Sequence, residues 1–374
     1  MEHFLTAAVA AAVAEDSSWR SEAGFPRKLW RRLGGKGLLG IGFPAAAGGQ
    51  GRSLVEVAEA GGALVRATGS LGLGLGWLMN EMLGWFALGR LGTAAQRAAL
   101  LPAMARGEVL CALAISEPGV GAHPKHLSAR AQRDGDGWRL DGEKAFVSNG
   151  PNADWFIVVA VSGEADGRKR FSAFLLPADA PGLAKVQREP VAGLTPLGHC
   201  GLKLEACKIG PDNMLGEEGS AFEALAKPFR DVEDALLPAL LVGAMGRELA
   251  ELGRTLGPGA GEAERQMLGR LLTELAALAA TARDSARGLE QYGVGAALSA
   301  LNTGFKELAR RWQGDWQTLA DLGSDAVSSL KPLTQDVNIV INIARRVGQA
   351  RQQTLGAALL TEKAAHEVTL RTSF

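Results

Sequence analysis

The chain of 374 residues is 47 % hydrophobic and 21 % charged, which is typical of a globular protein with helices rich in Ala and Leu. Its 40 basic residues balance 40 acidic ones, so no net field would attract nucleic acid or an anionic membrane. The three cysteines, Cys111, Cys200 and Cys207, are too few and too irregularly spaced for a disulfide framework or a zinc site. We therefore expect no metal site and a reducing, cytoplasmic environment.

The first element is an apolar run from Phe4 to Ala10. Glu2 stands where a secretory signal would carry basic residues, and Glu15 follows the run, so we expect an amphipathic first helix rather than a signal peptide. No apolar stretch is long enough to span a bilayer, and we expect no membrane association.

Helical spacing dominates residues 1–110. Segment 25–33 has a proline near its start and apolar residues at helical intervals, and segment 54–65 repeats such a stripe. The glycine-rich segments 37–44 and 48–51 lie between them and require several residues at positive φ. The pattern predicts an N-terminal helical domain over residues 1–110.

Strand patterns replace helical spacing between residues 111 and 217. The apolar runs 155–161 and 171–176 are bounded by Gly, Asp and Pro, which is typical of strands. Along 202–207 the even-numbered residues are apolar, so we expect them to face a core while the odd-numbered ones, Cys207 included, face water. These patterns predict a β-barrel-like domain over residues 111–217.

Two glycine-rich segments of this β-domain, 114–121 and 142–150, carry a serine beside apolar residues: Ser116 in the first and Ser148 in the second. Glycine allows a backbone to approach a ligand closely, and a serine donates a hydrogen bond without filling the space. Two such loops can bind one flat heteroaromatic ligand. The simpler alternatives are serines that cap turns and, for Phe146, an ordinary core aromatic.

Helical spacing returns over residues 218–374. The apolar residues of segment 267–278 form a stripe that is typical of a long helix in a bundle. Because this region is rich in Leu and Ala, we expect a C-terminal helical bundle that forms a homo- or hetero-oligomer.

The order of helices, loops and strands, with the sequences of the two serine loops, resembles the acyl-CoA dehydrogenase family of flavoproteins. The resemblance is dense through residue 222 and sparse after residue 246. It implies an α+β fold with a helical N-terminal domain, a central β-barrel domain and a helical C-terminal bundle. It also implies FAD as cofactor, oxidation of an acyl-CoA or acyl-carrier thioester between Cα and Cβ, and an acceptor of the electron-transfer flavoprotein type.

The resemblance further implies which residues would contact the flavin. Ser116 would bind the pyrimidine side of the ring, Ser148 would donate to the nitrogen that receives the hydride, and Phe146 would stack on the ring where the family commonly has Trp. The full set of cofactor-contacting residues carried over in this way is Leu113, Ile115, Ser116, Gly121, Ala122, Phe146, Val147 and Ser148.

The first loop departs from the family after Gly121. Ala122 and His123 follow, whereas the family usually continues with Ser and Asp, so a donor to the pyrophosphate and the thioester is missing. The segment 123–126, His-Pro-Lys-His, is either a basic patch for CoA phosphates or a solvated loop. Its two histidines have no carboxylate or thiol cluster beside them to support a metal site.

Thioester oxidation requires a carboxylate that removes the α-proton. The family places a Glu either late in the chain before a Gly or in the first helix after the β-domain. The late position, counted from 325–327, falls near Leu355–Gly356, which lacks the Glu. In the earlier region Glu233 is the best candidate, with Asp234 next. The alternative is that both merely stabilise the start of a helix.

The resemblance also weakens where the family reaches the adenine half of FAD in a neighbouring subunit. Only Arg254–Gly257 echoes the family's Arg-x-x-Phe-Gly loop, in a connection about two helical turns shorter. Lys331–Thr334 stands where the family has a late glycine-rich loop. An alternative function follows: a catalytically silent subunit that contributes half of a shared FAD site in a mixed assembly.

Overall fold

A computed structural model describes residues 2–15, 17–21, 24–187, 193–322, 330–343 and 345–359. The first part of the chain is helical. Its helices are α1 (Glu2–Ala14), α2 (Arg27–Gly35), α3 (Leu54–Thr68), α4 (Leu71–Met82), α5 (Gly89–Leu91) and α6 (Ala94–Ala105), and a π-helical segment, Leu83–Leu88, joins α4 to α5.

The middle of the chain forms an eight-stranded sheet. Its strands are β1 (Cys111–Ala114), β2 (Arg130–Asp134), β3 (Gly137–Ser148), β4 (Trp155–Ala165), β5 (Arg168–Pro177), β6 (Leu183–Val186), β7 (His199–Ile209) and β8 (Met214–Leu215). Their order is β6-β7-β3-β2-β4-β5-β8, with β1 parallel to β4 outside this path. The β2–β4 pair is also parallel, and the other pairs are antiparallel.

Helices return after the sheet. They are α7 (Lys227–Leu256), α8 (Glu262–Tyr292), α9 (Ala296–Leu322), α10 (Lys331–Asn342) and α11 (Arg345–Leu359), and a π-helical segment, Phe222–Ala226, leads into α7. The predicted fold class, helices followed by a sheet and again by helices, is confirmed. No helix in the described part of the chain is both long and apolar enough to cross a membrane.

Strand β4 is buried on both faces, which explains its continuous apolar run. Ile157 and Val159 pack into the core that the sheet shares with the helices. Phe156, Val158 and Ala160 point to the other face and join a second core inside the sheet. The strand therefore ties the helical parts to the sheet.

The predicted alternation of β7 holds for Leu202 and Leu204, which are buried, and fails after them. Ala206 is exposed with φ +49°, and Cys207 is fully buried. The register against β3 shifts between Leu204 and Cys207, so a bulge inserts an extra residue and reverses the inside–outside order. The expectation that Cys207 faces water was therefore wrong.

The N-terminal and C-terminal helices share one core because α3 and α7 approach closely. A Cβ on Gly243 would lie 2.1 Å from the carbonyl oxygen of Gly62, and a Cβ on Gly62 would lie 2.6 Å from that of Ala239. Glycine is required at this crossing because any side chain would separate the helices. Helix α7, which borders the candidate site, is thereby fixed to the N-terminal helices.

Two buried carboxyl groups hold the helical layers together. Glu81 of α4 accepts hydrogen bonds from the backbone N–H groups of Gly40, at 2.6 Å, and Gly42, at 3.0 Å. Glu248 of α7 accepts from the Thr334 hydroxyl at 2.7 Å and the Gln313 amide at 3.2 Å. Burial raises the pKa of each carboxyl to about 7 even though these hydrogen bonds oppose the shift.

Candidate functional site

A cavity of about 710 Å³ lies between the sheet, the end of α4 and the start of α7. It falls within the size range of small-molecule and cofactor sites. Seven of the nine predicted site residues line it: Leu113, Ile115, Ser116, Ala122, Phe146, Ser148 and Glu233. The fold thus brings together residues that are more than 100 positions apart in the chain.

The two remaining predicted residues do not line this cavity. Gly121 closes the turn of the first loop, where its φ is +62° and its carbonyl accepts from the N–H of Glu117 at 2.9 Å. Val147 is fully buried in the core inside the sheet. Either residue would therefore act through its backbone or through loop geometry and not through a side chain in the cavity.

Phe146 is presented to the cavity by a bulge in β3. The register against β7 breaks between Lys144 and Val147, which leaves Phe146 outside the ladder at φ +54°. Its side chain is 61 % exposed, so the alternative of a core aromatic is wrong. A non-glycine residue at positive φ that exposes a ring is strained, and such residues concentrate at functional sites.

The serine hydroxyls of both loops are available to a ligand. Ser116 and Ser148 are half-buried, and neither hydroxyl has a hydrogen-bond partner among the described residues. Ser148 also borders a smaller inner cavity of about 120 Å³. Neither serine side chain makes a cap, and both leave one donor free towards a cavity.

A buried ion pair that the sequence analysis missed joins the two loops. The Lys144 ammonium lies 2.9 Å from Oε1 of Glu117 and donates to the Ile115 carbonyl at 3.1 Å. Glu117 also accepts from the backbone N–H groups of Ser128, at 2.7 Å, and Ala129, at 2.9 Å. Burial alone would raise the pKa of Glu117, but Lys144 and these donors more than offset it and lower the pKa.

Glu233 lies on α7, where it borders both the main cavity and the inner cavity. Its carboxyl group has no hydrogen-bond or ion-pair partner among the described residues. Burial, and secondarily the charge of Asp234, raise the pKa of Glu233 to about 7, while Arg230 and Lys306 oppose the shift. A carboxyl group with this pKa can accept a proton near neutral pH.

The alternatives to Glu233 are differently placed. The carboxylate of Asp234 is held by the Lys306 ammonium at 2.7 Å and the Arg351 guanidinium at 3.3 Å. A charge interacts with the helix dipole only in the first or last turn of a helix. Helix α7 begins at Lys227, so Glu233 lies beyond its first turn. The late position, Leu355–Gly356, falls inside α11, and the segment 325–327 from which it was counted lies outside the described residues.

The loop after Gly121 borders the same cavity. His123 lines it, and its ring centroid is 4.8 Å from that of His126. Lys125 is exposed, so its ammonium is open to solvent. Among the described residues, no three His, Cys, Asp or Glu side chains lie close enough together to hold a metal ion.

The residues that the resemblance sets against the family's adenine-contacting loops lie away from this cavity. The Arg254 guanidinium pairs with the Glu251 carboxylate at 2.6 Å on the surface of α7. Lys331 begins α10, and Thr334 donates to Glu248 in the core. None of the three lines a described cavity that borders the serine loops.

The side chains fit the ring of a flavin. An exposed aromatic at positive φ, two free hydroxyls and glycine-rich loops surround a cavity large enough for a cofactor. His199, opposite Ser148 in the sheet, lines the inner cavity, and burial lowers its pKa, which favours a neutral imidazole. This fit rests mainly on the fact that both serine loops border the same cavity.

Comparisons with known proteins agree with this geometry. Residues 1–108 match the model of the acyl-CoA dehydrogenase N-terminal domain, and residues 112–207 match that of the middle domain. Together the two matches cover more than half of the chain.

Isovaleryl-CoA dehydrogenase of Oryza sativa is 32 % identical over 59 % of this chain and 54 % of its own length. Human short-chain specific acyl-CoA dehydrogenase is 32 % identical over 53 % of this chain and 48 % of its own length. The chain thus spans about half the length of the curated relatives it matches.

Solved structures share the fold over nearly the whole chain. Butyryl-CoA dehydrogenase from Megasphaera elsdenii superposes with a TM-score of 0.82 at 20 % identity and covers 96 % of this chain and 98 % of its own. The prolyl acyl carrier protein oxidase AnaB gives a TM-score of 0.82 at 23 % identity, with 96 % and 99 % covered.

Proposed function

Because the chain belongs to the acyl-CoA dehydrogenase family, we propose that it is an FAD-dependent oxidoreductase that oxidises an acyl thioester between Cα and Cβ. The observation that supports this most is the convergence of Phe146, Ser116, Ser148 and Glu233 on one cavity. Bound FAD would supply the hydride acceptor, which no protein side chain can provide.

Each of these residues has a distinct role in the proposal. Phe146 would form one wall against the flat ring, and Ser116 and Ser148 would each donate a hydrogen bond to its polar edge. Glu233 would accept the α-proton of the thioester on its carboxylate as the β-hydride leaves for the cofactor. The inner cavity beside Glu233 and Ser148 would receive the acyl group.

The wider assignments follow from the family. The thioester would be carried by CoA or by an acyl carrier, with the segment 123–126 near its phosphates, and the electrons would pass to an acceptor of the electron-transfer flavoprotein type. An oligomer would complete the adenine side of the site. The free, buried cysteines fit a reducing compartment, and we propose the cytoplasm.

A second candidate is the silent subunit of a mixed assembly. It is favoured by the surface pairing of Arg254 with Glu251 and by the absence of Glu at Leu355–Gly356. In this alternative the chain supplies the ring side of a shared FAD site, and a partner supplies the adenine side and the base.

A visible spectrum of the protein purified alone separates the two candidates. A yellow protein that is bleached anaerobically by an acyl-CoA supports the enzyme. A colourless protein that becomes yellow only when a partner chain is co-expressed supports the silent subunit.

Replacing Ser148 with Ala is expected to weaken flavin binding or slow flavin reduction, because one donor to the ring is lost. The cost of leaving a buried partner unsatisfied is about 1–3 kcal/mol. Flavin dissociation constants and stopped-flow reduction rates measure it. Ser148→Thr, which keeps the hydroxyl, is the control and is expected to be tolerated. An unchanged affinity and rate in Ser148→Ala would remove the main support for the flavin site.

A further inference from the structure

A cleft of about 110 Å³ lies between α7, α9 and α11, next to the main cavity. Among the described residues that line it, five are cationic and two carry carboxylates. The cations are Arg230, Lys306, Arg310, Arg345 and Arg351, and the acids are Asp234 and Glu307. Since the chain as a whole has no net charge, this excess of positive charge is local.

Internal ion pairs leave two of the five cations unmatched. Lys306, at 2.7 Å, and Arg351, at 3.3 Å, share the carboxylate of Asp234. Arg351 also pairs with Asp231, which lies outside the cleft lining, at 3.3 Å, and Arg310 pairs with Glu307. Arg230 and Arg345 have no hydrogen-bond or ion-pair partner within the described part of the chain. Arg230 is near enough to Asp231 and Glu233 to act on their pKa values, but it forms no ion pair with either.

The paired cations are themselves partly desolvated. The side chain of Lys306 is 14 % exposed, that of Arg310 is 19 % exposed and that of Arg351 is 29 % exposed. The two unpaired cations, Arg230 and Arg345, are exposed instead. Their guanidinium groups are therefore accessible to a carboxylate or phosphate of a ligand, which would supply the counter-charge that the lining lacks.

The cleft adjoins the candidate site, because the two share lining residues. Arg230 and Arg351 line both the cleft and the main cavity, and Arg230 and Lys306 line both the cleft and the inner cavity. A ligand that fills the main cavity can therefore place a charged end in the cleft.

We propose that this cleft binds an oxyanion group, a carboxylate or a phosphate, carried by the ligand of the main cavity, with Arg230 and Arg345 as its free donors. The guanidinium fork matches both groups in a bidentate manner. The inference rests on the proposed function in taking that ligand to be a thioester. A carboxylate would belong to the acyl group, and a phosphate to the pantetheine arm of the carrier.

Four thioethers of pantetheine test this proposal. The sulfur carries either a butyl or a 3-carboxypropyl group, and the other end carries either a free hydroxyl or a phosphate. A thioether lacks the carbonyl that acidifies the α-proton of a thioester, so it is not a substrate for Cα–Cβ oxidation. Calorimetry therefore measures binding whether or not the chain is an enzyme. The oxyanion is expected to raise affinity about tenfold over its neutral counterpart, at the end that reaches the cleft.

Variants locate the effect. Arg345→Gln alters only the cleft and is expected to reduce the preference for the charged compound to about twofold or less. Arg265→Gln, at an exposed position of α8, is the control and is expected to keep it. The proposal is overturned if the wild type prefers neither charged end. It is also overturned if both Arg345→Gln and Arg230→Gln keep the preference for the charged compound. A preference that only Lys125→Gln removes is such a case, because it would place the anion at the segment 123–126 and not in the cleft.

Discussion

Replacing Glu233 with Gln is expected to slow anaerobic reduction of the bound flavin by an acyl-CoA about 10²–10⁴-fold, the usual contribution of a general base. Gln has nearly the same shape but cannot accept the α-proton. Flavin content is expected to stay unchanged because Glu233 lies on helix α7 and belongs to neither serine loop. Stopped-flow absorbance of the flavin measures the rate.

The pH dependence of the same reaction provides an independent readout. The pKa of Glu233 is raised to about 7, and only its ionised form accepts a proton. The reduction rate is therefore expected to rise with pH through about 7 and to level off above it. Glu223→Gln is the matched control, since Glu223 is exposed and pairs with Lys227 at the surface. A Glu233→Gln variant with the wild-type rate and pH profile would contradict the assignment.

Replacing Lys144 with Met is expected to destabilise the protein by about 3–5 kcal/mol and to release the flavin. The substitution leaves the Glu117 carboxylate buried without its counter-charge, and that cost far exceeds the net value of the pair. The first serine loop would also lose the hydrogen bond between Lys144 and the Ile115 carbonyl. Chemical denaturation followed by circular dichroism measures the stability, and released flavin is measured by its fluorescence.

A double variant shows whether the charge or the packing matters. Glu117→Gln combined with Lys144→Met removes both charges and is expected to cost less than the sum of the single changes. Arg139→Met, which breaks a surface pair with Asp141, is the control and is expected to change stability by less than about 1 kcal/mol. Additive effects of the two single changes would mean that the pair is not coupled.

The fold could be predicted from local patterns because each pattern reflects which side chains of one helix or strand are buried. The run 155–161 is apolar at every position, and the structure buries β4 on both faces. The two serine loops can be recognised from glycine and serine residues spaced only a few positions apart. These features depend on neighbours in the sequence, so the sequence alone reveals them.

The electrostatics of the site could not be predicted in this way, because they depend on residues that only the fold brings together. Glu117 and Lys144 lie in the two serine loops, but nothing in the local sequence shows that their charges meet in the interior. Asp234 meets Lys306 from α9 and Arg351 from α11, which lie 72 and 117 positions away. Phe146 likewise has an ordinary strand context, and only its bulge places the ring in the cavity.

The buried carboxyl groups of Glu81 and Glu248 make folding a proton-uptake reaction. Their pKa values are about 7 in the folded protein and 4.5 in the unfolded chain, so between these limits the native state binds more protons. The contribution of these two groups to the free energy of unfolding is therefore largest below pH 4.5. It falls by up to about 1.4 kcal/mol per pH unit for each group as the pH rises towards 7. Two groups act in the opposite direction: His199, whose lowered pKa favours the unfolded chain as the pH falls through 6.5, and Glu117, whose lowered pKa does so only below pH 4.5. Mild acidification therefore increases the contribution of Glu81 and Glu248 to stability, and the protons they release on unfolding make the measured heat depend on the ionisation enthalpy of the buffer.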